Sequence, residues 1–399
     1  MKLLFVTPQL PYPPHQGTAI RNWGLIKHLS ARHTVRLVSF GAAPPAPLAE
    51  VCAEVVTVNP PERQSRQRVQ ALLRGTADLA DRLWSPEMAA ALAAALQQGE
   101  VEVVQIEGLE MAPYLATIRS ARPAARVVYD AHNAEHVIQQ RAWANDRQNP
   151  RRWAAAAYSA VQIPRLRALE AATLRTADAT TCVSAEDAAA LRGLAPQAAP
   201  VVIANGIDLD TYGPSPDPGG TRLVFTGKMD YRPNVDAAVW FAEAIWPRVR
   251  AANPSAEFHV VGQRPTAAVA RLAQWPGVVV TGAVPDIRPH LAGATVYVAP
   301  LRMGGGTRFK LLEAFALARP VVSTRVGAEG FAVTDGGELR LADTAEAFAQ
   351  AVLGLLADRA WAARLGQAAR AFVAASYDWR SIVPRLEAVY ESLAERPPA

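Results

Sequence analysis

Cysteine is nearly missing from this chain. Only Cys52 and Cys182 occur, far apart and without a CxxC pair. A disulfide framework is thereby excluded and a reducing compartment is expected. Long apolar runs are missing as well. After Lys2 only Leu3–Leu4–Phe5–Val6 precede Thr7 and Pro8, too short for the core of a secretory signal. No uncharged stretch approaches the length of a membrane span. The net charge of +5 falls short of a nucleic-acid binder's signature and suits a small polyanionic ligand or an anionic surface. These shortages predict a cytoplasmic protein with no nucleic-acid partner, leaving peripheral attachment to the inner membrane face as the one membrane role.

What the chain has is length. Its 399 residues, half of them hydrophobic, suffice for two domains with separate cores. Strand-like runs near residues 2–7, 35–40, 54–58, 101–106 and 126–130 alternate with helical periods such as 18–31 and 88–96. A second series follows at 222–226, 258–261, 278–281, 295–299 and 321–324. Alternation of this kind predicts α/β domains built on doubly wound parallel sheets. Ligands in such sheets sit at the carboxyl ends of strands. Residues 214–220 (PSPDPGG) read as a linker, giving domains of 1–213 and 221–376 and a terminal helix over 377–399.

The most informative stretch runs from Val296 to Gly327. A strand leads into Gly304, Gly305 and Gly306, Thr307 stands at an expected helix N-cap, and Arg308 and Lys310 fall in the first turn. Cations are unfavourable at a helix N-terminus unless an anion is bound there. The glycines let a ligand approach the backbone. The stretch therefore reads as a phosphate cradle, with Glu313 in reach of a hydroxyl-rich part of the same ligand. The plainer alternative is a glycine loop with solvated cations. A second strand–glycine–helix junction occurs at Gly17, where an ordinary βα turn is the alternative.

His132, just past a predicted strand end, belongs to the string His132–Asn133–Ala134–Glu135–His136. Read literally this is the H-x-x-E-H pattern of a zinc hydrolase with Glu135 as base; a structural histidine is another option. Over 141–175 the charge is one-sided. Arg141, Arg147, Arg151, Arg152, Arg165, Arg167 and Arg175 face only Asp146 and Glu170, with Trp143, Trp153 and Tyr158 interleaved. Such a surface suits anionic lipid or a phosphorylated acceptor, or is simply a solvated helical face.

The order Gly304-Gly305-Gly306-Thr307-Arg308-x-Lys310-x-x-Glu313, followed by Ala318–Arg319–Pro320–Val321–Val322, resembles the donor-binding segment of the glycosyltransferase group 1 family, family 4 enzymes of GT-B fold. Asn205–Gly206–Ile207–Asp208, Gly227–Lys228 and the Asp130-x-His132 order extend the resemblance along nearly the whole chain. Two positions depart from it: Gly305 replaces the first of two glutamates, and Asn234 replaces a lysine. The resemblance implies two Rossmann-like domains facing across a cleft, with a C-terminal helix crossing back to the first. It implies retaining transfer of a sugar from a UDP- or GDP-linked donor to a glycan, lipid-linked or small-molecule acceptor. His132 and Glu313 take the catalytic roles, His132 by contacting the transferred sugar. Gly17, Gly227, Lys228, Gly304, Gly305, Gly306, Thr307, Arg308, Lys310 and Glu313 hold the donor, and no metal or other cofactor is expected. A sugar-nucleotide epimerase of the same fold and a non-catalytic nucleotide-binding subunit are the alternatives.

Overall fold

The chain divides into two compact units, Met1–Ala204 joined by the stretch from Ile382 onward, and Asn205–Ser381. A computed structural model describes residues 1–14, 17–62, 75–148, 150–303 and 309–395. Among them, the first unit is built on β1 (Lys2–Thr7), β2 (Thr34–Phe40), β3 (Glu54–Val58), β4 (Val103–Glu107), β5 (Arg126–Ala131), β6 (Ala179–Cys182) and β7 (Val201–Val202). They form one parallel sheet in the order β3-β2-β1-β4-β5-β6-β7. The second unit carries β8 (Arg222–Thr226), β9 (Glu257–Val261), β10 (Val278–Gly282), β11 (Val296–Ala299), β12 (Val321–Ser323) and β13 (Arg340–Leu341), in the order β10-β9-β8-β11-β12-β13. Both are α/β, as the alternation predicts. In each sheet the strand order reverses once, between β1 and β4 and between β8 and β11. A doubly wound sheet opens its ligand crevice at that reversal, beyond the carboxyl ends of the strands.

The central strands are apolar on both faces because helices cover both. Leu3, Leu4, Phe5 and Val6 of β1 are all buried, the unbroken run that a two-sided parallel strand needs. Leu4, Val6, Val104 and Ile106 share one core with Met88, Leu92 and Leu96 of the helix Pro86–Gln97. Each such side chain contributes about 1.5–3 kcal/mol on burial. The terminal helix Trp379–Ala394 supplies Ile382, Val383, Leu386, Tyr390 and Leu393 as buried residues at helical spacing.

Proline accounts for two departures from simple helix prediction. The helical segment after β4 starts as a 3₁₀ turn, Leu109–Tyr114, around Pro113, before the α-helix Leu115–Ala121. The helix starting at Arg232 widens to a π turn at Phe241–Ile245. Pro247 follows two residues on, and its ring would otherwise strike the carbonyl four residues back. Residues 214–220 lie in the second unit, and Arg319 anchors them. Its buried guanidinium donates to the carbonyls of Ser215 and Pro216 and to those of Ala292 and Ala294.

Candidate functional site

In the first unit β4, one strand of the reversal, pairs with β5, and their ends lie side by side with Glu107 opposite Asp130. Asp130 and Glu107 are both fully buried there. The helix Gly17–Leu29 sends Arg21 into the same place, 2% exposed. Its Nε donates to Asp130 Oδ2 at 2.7 Å and its Nη2 to Oδ1 at 2.9 Å. Thr181 Oγ1 donates to Oδ1 as well, at 2.6 Å. Burial pushes the Asp130 carboxyl up, but the charge and hydrogen bonds of Arg21 outweigh it and hold the pKa at about 2.

His132 follows β5 and donates from Nε2 to Glu107 Oε2 at 2.7 Å, with Asp130 Oδ2 at 3.8 Å. Burial works against its imidazolium, yet the hydrogen bond and charge of Glu107, then the charge of Asp130, raise its pKa above the usual histidine value. Burial and Asp130 raise that of Glu107 too, against the hydrogen bond and charge of His132. Gly108, at φ 82°, continues the chain past Glu107; a Cβ there would lie 2.8 Å from Glu110 Oε2 and 3.4 Å from His132 Nδ1. Glycine thus keeps the Nδ1 edge of the ring open.

The ligand-capable atoms of Glu107, Asp130 and His132 fall within 4.8 Å of one another. A cation could sit among them, but the cation in place is the Arg21 guanidinium, which engages both Asp130 oxygens. The zinc-hydrolase reading of the H-x-x-E-H string is not supported. His136 turns away from His132 and gives its Nδ1 to Glu170 Oε2 at 2.6 Å. Glu170 also accepts the backbone N–H groups of Glu135 and His136, so it caps the start of the helix Glu135–Asp146 from a neighbouring helix. His136 is structural.

In the second unit the reversal brings the loop after β8 beside the helix Phe309–Ala316. Lys310 Nζ donates to Asn234 Oδ1 at 2.6 Å, and Asn234 Nδ2 donates to Lys228 O at 2.9 Å. Nζ also lies 4.4 Å from the centroid of the Phe225 ring. The loop is tightly packed: a Cβ on Gly227 would meet Asn234 Nδ2 at 2.6 Å and Lys310 Nζ at 3.0 Å, and one on Gly262 would meet Gly227 O at 1.7 Å. Lys228 itself is half-exposed and lies 3.7 Å from Asp230. Glu313 sits on the buried side of its helix, 8% exposed, accepting a hydrogen bond from Tyr212 Oη at 3.0 Å. Burial pushes its pKa up to about 7, against the Tyr212 hydrogen bond and the Lys310 charge.

The structure therefore gathers Gly227, Lys228, Lys310 and Glu313 at the reversal point of the second sheet, and in the first unit sets His132, after β5, against Glu107 of the reversal strand β4. Gly17 opens the helix that carries Arg21. Gly304, Gly305, Gly306, Thr307 and Arg308 lie outside the described residues. Sequence reasoning missed Arg21, Glu107 and Tyr212. Glu107 had a usable signal, a charged residue closing an apolar strand directly before glycine. Arg21 looked like any helix arginine.

Residues 220–358 match the family described as Glycosyl transferases group 1, and residues 16–211 match Glycosyltransferase Family 4. A Klebsiella pneumoniae protein, described as an uncharacterized 44.6 kDa protein in the cps region, is 20% identical over 169 residues. That match covers 40% of this chain and 44% of the relative, less than half its length. Sucrose-phosphate synthase from Thermosynechococcus elongatus has a similar structure, with a TM-score of 0.73 at 18% identity over 99% of both chains. HepE from Anabaena, in complex with UDP and glucose, gives a TM-score of 0.69 at 15% identity over 98% of this chain and 100% of its own. These likenesses identify the fold as that of the GT-B glycosyltransferases.

Proposed function

The chain belongs to the group 1, family 4 glycosyltransferases, and on that premise we propose that it moves a hexose from a nucleotide-diphosphate sugar to a glycan or lipid-linked acceptor, with retention and without a metal. The observation that carries this reading is the Lys310–Asn234–Gly227 arrangement at the reversal point of the second sheet. A departing nucleoside diphosphate builds up negative charge on its phosphates. Lys310 and Lys228 meet that charge with cations already in place, and the sequence assigns Arg308 to the same task. Asn234, standing where the resembled family has a lysine, supports Lys310 instead of supplying a charge. Glu313 takes the ribose hydroxyls, and His132 contacts the transferred sugar.

The test is a melting panel with UDP, GDP, ADP and their common sugar conjugates, each with and without a chelator. A ligand that binds only the folded state raises the melting point. UDP and UDP-glucose come first because HepE was solved with UDP and glucose. The expected result is a chelator-resistant shift with one nucleotide. Lys310→Ala should weaken that nucleotide about tenfold or more, the loss of roughly one charge-assisted hydrogen bond. Equal affinity in the variant would remove Lys310 from the site.

No helix among the described residues is long and apolar enough to cross a membrane. We further propose peripheral contact with anionic lipid through 141–175. Trp153 is 63% exposed there, alongside the exposed Tyr158 and Val161 and the arginine excess, and aromatic rings over basic groups suit a headgroup layer. Sedimentation with phosphatidylserine vesicles should fall several-fold for Trp153→Ala. Binding that the variant leaves untouched, or that phosphatidylcholine supports equally, would overturn it.

A further inference from the structure

A buried line of hydrogen bonds runs through the first unit from the terminal helix to His132. Tyr390 Oη donates to Gln105 Oε1. Gln105 Nε2 donates to Glu107 Oε1 at 2.6 Å, and Glu107 Oε2 accepts from His132 Nε2 at 2.7 Å. The Asn22 amide, with its NH₂ turned toward Glu107, adds a donor to Oε2 at 2.8 Å. Gln105, Glu107, Asn22 and Tyr390 are buried; only His132, at the end of the line, reaches the surface, 13% exposed.

We propose that Glu107 is the positioning residue for His132: it takes the Nε2–H, fixes the ring's orientation and tautomer, and leaves Nδ1 as the nitrogen presented to a ligand, while Tyr390 and Gln105 hold Glu107 in place. The proposal rests on the reading of His132 as the residue that contacts the sugar.

Each link has a chemical reason. A buried carboxylate needs several donors to be tolerated. Arg21 is not free for the task because its fork is spent on Asp130. Glu107 instead collects Gln105, Asn22 and His132. A glutamine amide has two faces that a buried acceptor cannot use alike. The Tyr390 hydroxyl donates to Oε1, so Oε1 faces the tyrosine and NH₂ faces Glu107. The terminal helix thereby sets the amide, the amide sets the carboxylate, and the carboxylate sets the imidazole. Spacing does the rest: Gln105 and Glu107 are two apart on β4 and point to one face of the sheet, while Gly108 leaves the Nδ1 edge uncovered. The charged groups facing His132 are Glu107 from β4, Asp130 on its own strand, Arg21 from the helix Gly17–Leu29, Glu110 after Gly108 and Glu135 from the helix that follows. Glu107 alone of these touches the ring within hydrogen-bond distance.

Histidine-labelled protein tests this by NMR, with the His132 signals assigned by their loss in His132→Asn. The wild type should show the Nε2–H tautomer and a titration midpoint above that of free histidine. Glu107→Gln keeps an acceptor for Nε2–H but removes the charge. It should keep the tautomer while lowering the ring's proton affinity about tenfold or more. Tyr390→Phe should lower it in the same direction by less. Unmoved His33 and His259 signals check that the fold is intact. An unchanged His132 midpoint in Glu107→Gln, or an Nδ1–H tautomer in the wild type, overturns the proposal. With UDP-glucose as probe donor, Glu107→Gln should lower kcat with KM little changed, and should add nothing in a His132→Ala background. Full turnover by His132→Ala would sink the sugar-contact reading, while the NMR result still decides the role of Glu107.

Discussion

Arg21→Leu is expected to destabilise the protein by about 3–5 kcal/mol, the usual loss when one partner of a buried ion pair is removed. Leucine fills part of the volume but leaves Asp130 and Glu107 as neighbouring buried carboxylates, Asp130 with Thr181 as its remaining donor and Glu107 with His132, Gln105 and Asn22. The pH dependence has a definite sign. In the wild type the folded-state pKa of Asp130 is depressed to about 2. Its contribution is therefore present above the unfolded value and lost as pH falls toward 2. Without Arg21, burial and the Glu107 charge raise the Asp130 pKa above its unfolded value. The folded variant then holds a proton that the unfolded chain releases, and its stability falls as pH rises. Urea unfolding of the two proteins should differ most at pH 8 and converge as the pH drops toward 4. Arg21→Leu/Asp130→Asn should recover part of the loss because it removes the orphaned charge. A deficit below about 1 kcal/mol, or one that deepens in acid, would show that the pair is not what stabilises this end of the sheet.

The fold was legible because its signals are periodic. Apolar runs such as Leu3–Val6 and Val296–Ala299 are long enough to need cover on both faces, and helical periods lie between them. Strand-end placement then pointed to Asp130 and His132, and the resemblance in motif order to Gly227 and Lys228. Glu313 came from its place on the helix after the glycines as well as from motif order, and the structure adds that it is buried against Tyr212. The buried partners were not legible. Arg21 meets Asp130 across 109 residues and Tyr390 meets Gln105 across 285. No local pattern encodes a pairing at that separation; it exists only once the sheet order is set. The zinc string failed for a related reason. Its spacing presumes one helix, but His132 stands outside the helix Glu135–Asp146 that contains His136. Prolines that shift a helix's start or widen one turn, Pro113 and Pro247, change local geometry without moving the sheet.

Glu313→Gln is expected to act in opposite directions on stability and on binding. The ligand-free variant should melt higher than the wild type at pH 8, and its nucleotide-induced shift should be largely lost. The folded-state pKa of Glu313 is raised to about 7, chiefly by burial. A raised carboxyl pKa contributes stability that is fully present below the unfolded value and is lost as pH rises through 7. Above pH 7 the wild type thus carries a desolvated charge that costs about 1–3 kcal/mol. Glutamine does not ionise, and its Oε1 still accepts from Tyr212, so the gain should be about 2–5 °C at pH 8 and vanish near pH 4. Binding runs the other way. A carboxylate accepts from two hydroxyls at once, whereas a carboxamide presents an oxygen to one and an NH₂ to the other. The mismatch should weaken UDP by about 10–100-fold, since hydrogen bonds to a charged group are worth roughly 1.5–3 kcal/mol. Calorimetry of UDP binding beside pH-resolved melts separates the two effects. A variant that binds as tightly as the wild type would exclude Glu313 from the donor site, whereas one that melts lower at pH 8 would show that its buried charge is already compensated. The expected pairing of higher stability with lost affinity is what a destabilised carboxylate kept for a ligand should show.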